Sequence, residues 1–149
     1  MINQESKSRE ILRLNQGIND LDQPTGFILE IVAYSDNPEI VISKIKYLMI
    51  EILNNIDNYE ENDSIWMDIL PDWFVNQFTV DHNSDEWHCG QFLSCMKSDS
   101  REWEWWNASI IKDNEFVIRI SCNDIPFANE HLRIMLKYCG ANLKNEYLY

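Results

Sequence analysis

At 149 residues, 45% of them hydrophobic, the chain suits a single domain built on one core and is too apolar to stay disordered. No stretch approaches the roughly 20 apolar residues of a membrane span, and the N-terminus shows no signal-peptide pattern, so a cytoplasmic protein is expected. A net charge of −13 argues against nucleic acid or an anionic membrane as a partner.

In chain order, residues 5–15 are expected to form a short helix with Ile11 and Leu12 inward, followed by a loop broken by Gly17, Pro24 and Gly26. Residues 27–34 read as a strand with Phe27, Leu29, Ile31 and Ala33 on one face. Asp36 is expected to cap the next helix, with Pro38 in its first turn and Glu39 closing a capping box. Ile45, Leu48, Met49, Ile52 and Ile56 recur at helical spacing and define its buried stripe to about residue 57. Two helical pieces, 64–70 and 72–78, hinge at Pro71, with Leu70, Phe74 and Phe78 four residues apart. A third helix is expected over 85–97, capped by Ser84, with Phe92, Leu93 and Met96 inward.

Residues 103–112 and 115–122 form a predicted β-hairpin around Asp113-Asn114. A regular two-residue turn would pair Trp105, Asn107, Ser109 and Ile111 with Cys122, Ile120, Ile118 and Phe116 on the core face. Trp106, Ala108 and Ile110 would then face water or a partner beside Glu104 and Arg119. A last helix after Pro126 presents Leu132, Met135, Leu136 and Cys139 and stops at Gly140. The expected fold is α+β, one domain over 1–149: a small antiparallel sheet including the hairpin (about 103–122), with helices packed on one face.

The sequence contains no phosphate loop, nucleophile elbow or His-Glu-x-x-His, so no enzyme activity is expected. His82, His88, Cys89 and Cys95 are the candidate metal ligands, but their spacing matches no paired-ligand pattern; no metal or cofactor is expected. His131 reads as a residue on a solvated helix face, and Cys122 and Cys139 as core thiols.

The charge is unevenly spread. Residues 57–104 hold twelve acidic side chains against Lys97 and Arg101, a net −10. All six tryptophans lie between Trp66 and Trp106, overlapping that tract. Trp105 and Trp73 are assigned to the core. An acidic rim around tryptophan anchors is an arrangement that steers and holds a basic protein surface. The candidate partner-binding residues are therefore Asp68, Asp72, Asp85, Glu86, Trp87, Glu102, Trp103, Glu104 and Trp106.

The stretch Leu70-Pro71-Asp72-Trp73-Phe74, then Trp103-Glu104-Trp105-Trp106, then the helix bearing Pro126, Leu132, Leu136 and Gly140-Ala141 resembles the immunity proteins of bacterial polymorphic toxin systems, contact-dependent growth inhibition included. That resemblance implies tight binding to a cognate basic toxin, often a nuclease, whose active site the protein occludes. Two other classes stay open: an acidic adaptor or regulatory domain, and a small enzyme or metal protein using His82, His88 and the nearby cysteines. The oligomeric state is open as well.

Overall fold

The computed structural model describes residues 4–19, 22–24, 26–58, 60, 66–81 and 83–149. Its elements are α1 (Gln4–Gln16), β1 (Phe27–Tyr34), α2 (Pro38–Asn55), α3 (Trp66–Ile69), α4 (Asp72–Val75), α5 (Cys89–Met96), β2 (Trp103–Lys112), β3 (Glu115–Cys122), α6 (Glu130–Tyr138) and β4 (Asn142–Leu148). The four strands make one antiparallel sheet in the order β2-β3-β1-β4, so the fold is α+β. No helix among the described residues is long and apolar enough to cross a membrane.

One core joins the sheet to the helices. Leu29, Ile31 and Ala33 of β1 pair with Ile120, Ile118 and Phe116 of β3. Together they meet Ile45, Leu48, Met49, Ile52 and Ile56 from the α2 stripe and Leu132, Met135 and Leu136 from α6. At roughly 25 cal/mol per Å² of apolar area removed from water, these packed stripes are the main stabilising term. α2 is capped by Asn37, whose Oδ1 accepts from the Ile40 amide at 3.3 Å; the cap falls one residue later than the expected Asp36, with Pro38 at the first helical position. α6 begins later than its Pro126 signal, at Glu130, and ends at Tyr138; Gly140 follows the Cys139 cap, and its φ of +105° lets the Ala141 amide close on the Leu136 carbonyl. α5 is likewise shorter than expected: it starts at Cys89, and Gln91 Oε1 accepts from the His88 amide, so Ser84 belongs to the preceding turn and not to the cap.

Three other features depart from the sequence reading. First, α1 buries Lys7, Glu10, Arg13 and Leu14, while Leu12 is exposed and Ile11 half-buried, because its inward stripe is charged rather than apolar. Second, β4 pairs with β1 along residues that carry only a weak strand pattern. Third, the hairpin turn is where it was expected, but β2 carries two irregularities, at Ile111 and at Trp106. They set Trp103 and Trp105 against Cys122 and Ile120, and Ala108 and Ile110 against Ile118 and Phe116. Asn107 and Ser109 consequently leave the core face and pair with Arg119 and Val117, while Ile111 is exposed.

Candidate partner-binding surface

Phe74 and Phe78 stack edge to face at 5.1 Å, Phe74 meets Phe92 at 5.3 Å, and Phe78 meets Tyr138 at 4.9 Å. This cluster takes up the inward side of α3 and α4 together with the buried Leu70, and leaves Asp68 and Asp72 exposed. The following loop is tied to itself. The Thr79 amide donates to the Trp87 carbonyl, the Glu86 amide to Ser84 Oγ, and His88 Nε2 lies 2.9 Å from the Asp81 carbonyl. Asp85 and Glu86 are thereby held out to solvent, while Trp87 is half-buried against the core. Burial, and next the charge of Glu86, raise the Tyr138 phenol above its usual range. Among the described residues, Asp68, Asp72, Asp85 and Glu86 form no ion pair.

The second group of expected residues lies along β2, where the charges are spent internally. Glu10 accepts two hydrogen bonds from Arg101 at 2.7 Å and one from the Trp105 amide at 2.6 Å. Arg13 donates to the Trp105 carbonyl at 2.9 and 3.1 Å, and Arg101 to the Trp103 carbonyl at 2.9 Å. Three charged side chains thus satisfy the backbone along this part of the outer edge of β2, where a further strand would otherwise pair. Lys7, paired with Asp57, fastens the start of α1; that contact and the hydroxyl of Ser98 hold the Asp57 carboxyl below its usual range.

Trp103 is 1% exposed and donates from Nε1 to His131 Nε2 at 2.9 Å, so it is a core residue and not a surface anchor. His131 is buried too, contrary to its expected solvated position. Burial first, and Arg101 second, push its imidazole down to about 4, with Glu102 opposing. Trp106 is 9% exposed, with the Arg13 guanidinium 4.9 Å above its ring. It therefore does not stand free on the sheet; it lines a cleft of about 330 Å³ with Arg9, Arg13, Asn19, Glu104 and Ser121. Glu104 is half-buried beside Arg13, and burial, then Glu10, raise its carboxyl above the usual range. Glu102 is exposed and accepts from the Ala128 amide at 3.2 Å.

The structure therefore keeps Asp68, Asp72, Asp85, Glu86 and Glu102 at the surface, withdraws Trp103, and half-covers Trp87 and Glu104. The sequence reading missed the aromatic surface on α2. Ile40 and Tyr47 are 52% and 51% exposed and, with Glu39, Ser43, Lys44 and Trp73, line a groove of about 470 Å³. Trp73, assigned to the core, is half-buried there with the Lys44 amine 4.9 Å over its ring. The available signal was that Ile40 and Tyr47, one heptad apart, lie off the Ile45-Leu48-Ile52 stripe.

His82 lies outside the described residues. Cys89 and Cys95 are six residues apart on α5, which turns them to different sides of the helix. Burial raises both thiols, that of Cys89 to about 11, which disfavours the thiolate a metal or a nucleophilic reaction requires. No group of three or more His, Cys, Asp or Glu side chains among the described residues is arranged to hold a metal ion. Comparison of the chain with protein-family models, with curated proteins and with solved structures found no match in any of the three.

Proposed function

We propose that this chain is an immunity-type protein of the cytoplasm that binds a cognate basic toxin, such as a nuclease, and blocks its active site. The observation that carries the reading is the set of surface carboxylates Asp68, Asp72, Asp85 and Glu86, exposed and without ion pairs among the described residues, in a chain whose Arg13, Arg101, Arg119 and Arg133 are all paired internally. Exposed carboxylates of this kind are hydrated, and a partner's lysines and arginines are their natural counter-charges. They would occupy the positions that substrate phosphates take in a nuclease site. Binding of this sort requires no chemistry from the protein itself.

The test starts from the gene upstream. A secreted protein with a variable C-terminal domain is expected there, and co-expression of that domain with the chain restores growth. A chain carrying Asn and Gln in place of the four carboxylates protects poorly. Full protection by that variant, folded and expressed at the same level, would overturn the reading.

A further inference from the structure

We infer that α1 is a detachable strap: it leaves the sheet as one unit while the rest of the fold stands, and its departure uncovers Trp106 and the outer edge of β2 at Trp105. What holds α1 differs in kind from what holds α2. The seven residues that α2 buries are all apolar, whereas of the four that α1 buries, Lys7, Glu10, Arg13 and Leu14, only Leu14 is. Ile11 adds a half-buried contact with the core. The other fastenings of α1 are ionic: Lys7 to Asp57, Glu10 to Arg101 and Arg13 to Glu104. Such pairs contribute little net stability, because charges that separate regain the water they lost on pairing. The core shared by the sheet, α2 and α6 therefore depends on α1 for little of its apolar burial.

The seam is also open along one side. Arg9, Leu12 and Arg13 of α1 share the cleft of about 330 Å³ with Glu104, Trp106 and Ser121 of the sheet, so packing does not seal the junction there. Gly17 follows α1 directly at a φ of +80°, with open space around it, and serves as the pivot. A helix of 13 residues is marginal by itself, so α1 unwinds as it leaves. Its release frees the Trp105 amide from Glu10 and the Trp105 carbonyl from Arg13, and it lifts the Arg13 guanidinium from the Trp106 ring. A covered strand edge and a covered tryptophan thus become accessible in a single movement.

Amide hydrogen exchange of the intact protein at low urea, followed by NMR, reads the strap directly. The Trp105 amide, held by Glu10, and the Leu14 amide within α1 are expected to show one common protection, lower than that of Ile31 and Ile120 in the sheet. Ile118→Val removes one methylene at the centre of the sheet, where Ile118 pairs with Ile31 and Ala108. It should lower the protection of Ile31 and Ile120 by about fivefold and leave Trp105 and Leu14 unchanged, since opening the strap does not expose Ile118. Leu14→Val should instead lower all four by a similar factor, because every opening that releases α1 gains from it. If Trp105 and Leu14 answer to Ile118→Val, α1 leaves only when the whole protein unfolds. If Trp105 is indifferent to Leu14→Val, its amide exchanges without α1 moving. Either result overturns the strap.

Discussion

Glu10 and Arg101 face each other through two 2.7 Å hydrogen bonds, with both side chains wholly removed from solvent. The pair joins α1 to the chain just ahead of β2 across 91 positions of sequence, and the same carboxylate accepts from the Trp105 amide. A buried ion pair of this kind contributes little net stability beyond an apolar replacement, yet breaking one side leaves an uncompensated charge in the core. Glu10→Ala should therefore cost about 3–5 kcal/mol. The double replacement Glu10→Leu with Arg101→Met should recover a large part of that loss. Urea denaturation of the three proteins measures both quantities. A Glu10→Ala protein as stable as the parent would mean that α1 does not hold the β2 edge.

His131 makes stability depend on pH. Its imidazole sits at about 4 in the folded chain against an ordinary 6.5, so in that window the unfolded chain binds the proton that the folded chain refuses. Stability is complete above 6.5 and is lost as pH falls toward 4, by roughly 3 kcal/mol from this group. Glu104, held above its usual range, contributes with the opposite sign. Measurement in a Glu104→Gln background removes that contribution, and Asp57, held low by Lys7 and Ser98, adds a loss of the histidine's sign only as pH falls into the carboxylate range. His131→Phe, close in size, should flatten the profile between 6.5 and 4, and an unchanged slope would assign it to another group.

The two neighbouring tryptophans should separate by mechanism. Trp105→Ala removes a ring that is 1% exposed from the packed core and should cost on the order of 3–5 kcal/mol. Trp106→Ala opens into the existing cleft rather than a sealed cavity, so the loss should be about 2 kcal/mol, from apolar burial and the Arg13 stack. Chemical denaturation of both variants decides the matter. The reverse ranking would place the irregularity in β2 at another residue.

Binding to the proposed basic partner should be salt-sensitive chiefly in its association rate. The association rate is expected to fall as ionic strength rises from about 50 to about 500 mM, because screening shortens the reach of exposed charges such as Asp85 and Glu86. The dissociation rate, set by the close contacts, should change less. Stopped-flow kinetics across that range checks both, and a salt-independent association rate would remove the electrostatic part of the mechanism.

What the sequence by itself determined is whatever lies within a turn or two of chain. The α2 stripe from Ile45 to Ile56, the Asp113-Asn114 turn, the inward faces of β3 and of β1 from Leu29 to Ala33, and the α6 stripe ending at Gly140 are all read from spacings of two to four residues and stand in the structure, whereas Phe27, expected on the same face of β1, is exposed at the strand's start. Only the tertiary structure decided the rest. The charged stripe Lys7-Glu10-Arg13 looks like a solvated face until Asp57, Arg101 and the Trp105 backbone arrive from far along the chain. The same holds for His131, whose partner Trp103 is 28 positions away, and for β4, which becomes a strand because β1 offers it a free edge. Two one-residue irregularities in β2 carry no local signal, yet they set which of its side chains enter the core. Periodicity reports how apolar a face is. It is silent on whether a polar face will find its counter-charge at long range, and here that pairing placed α1 and buried Trp103, while Tyr47 is exposed and Trp73 half-buried beside it.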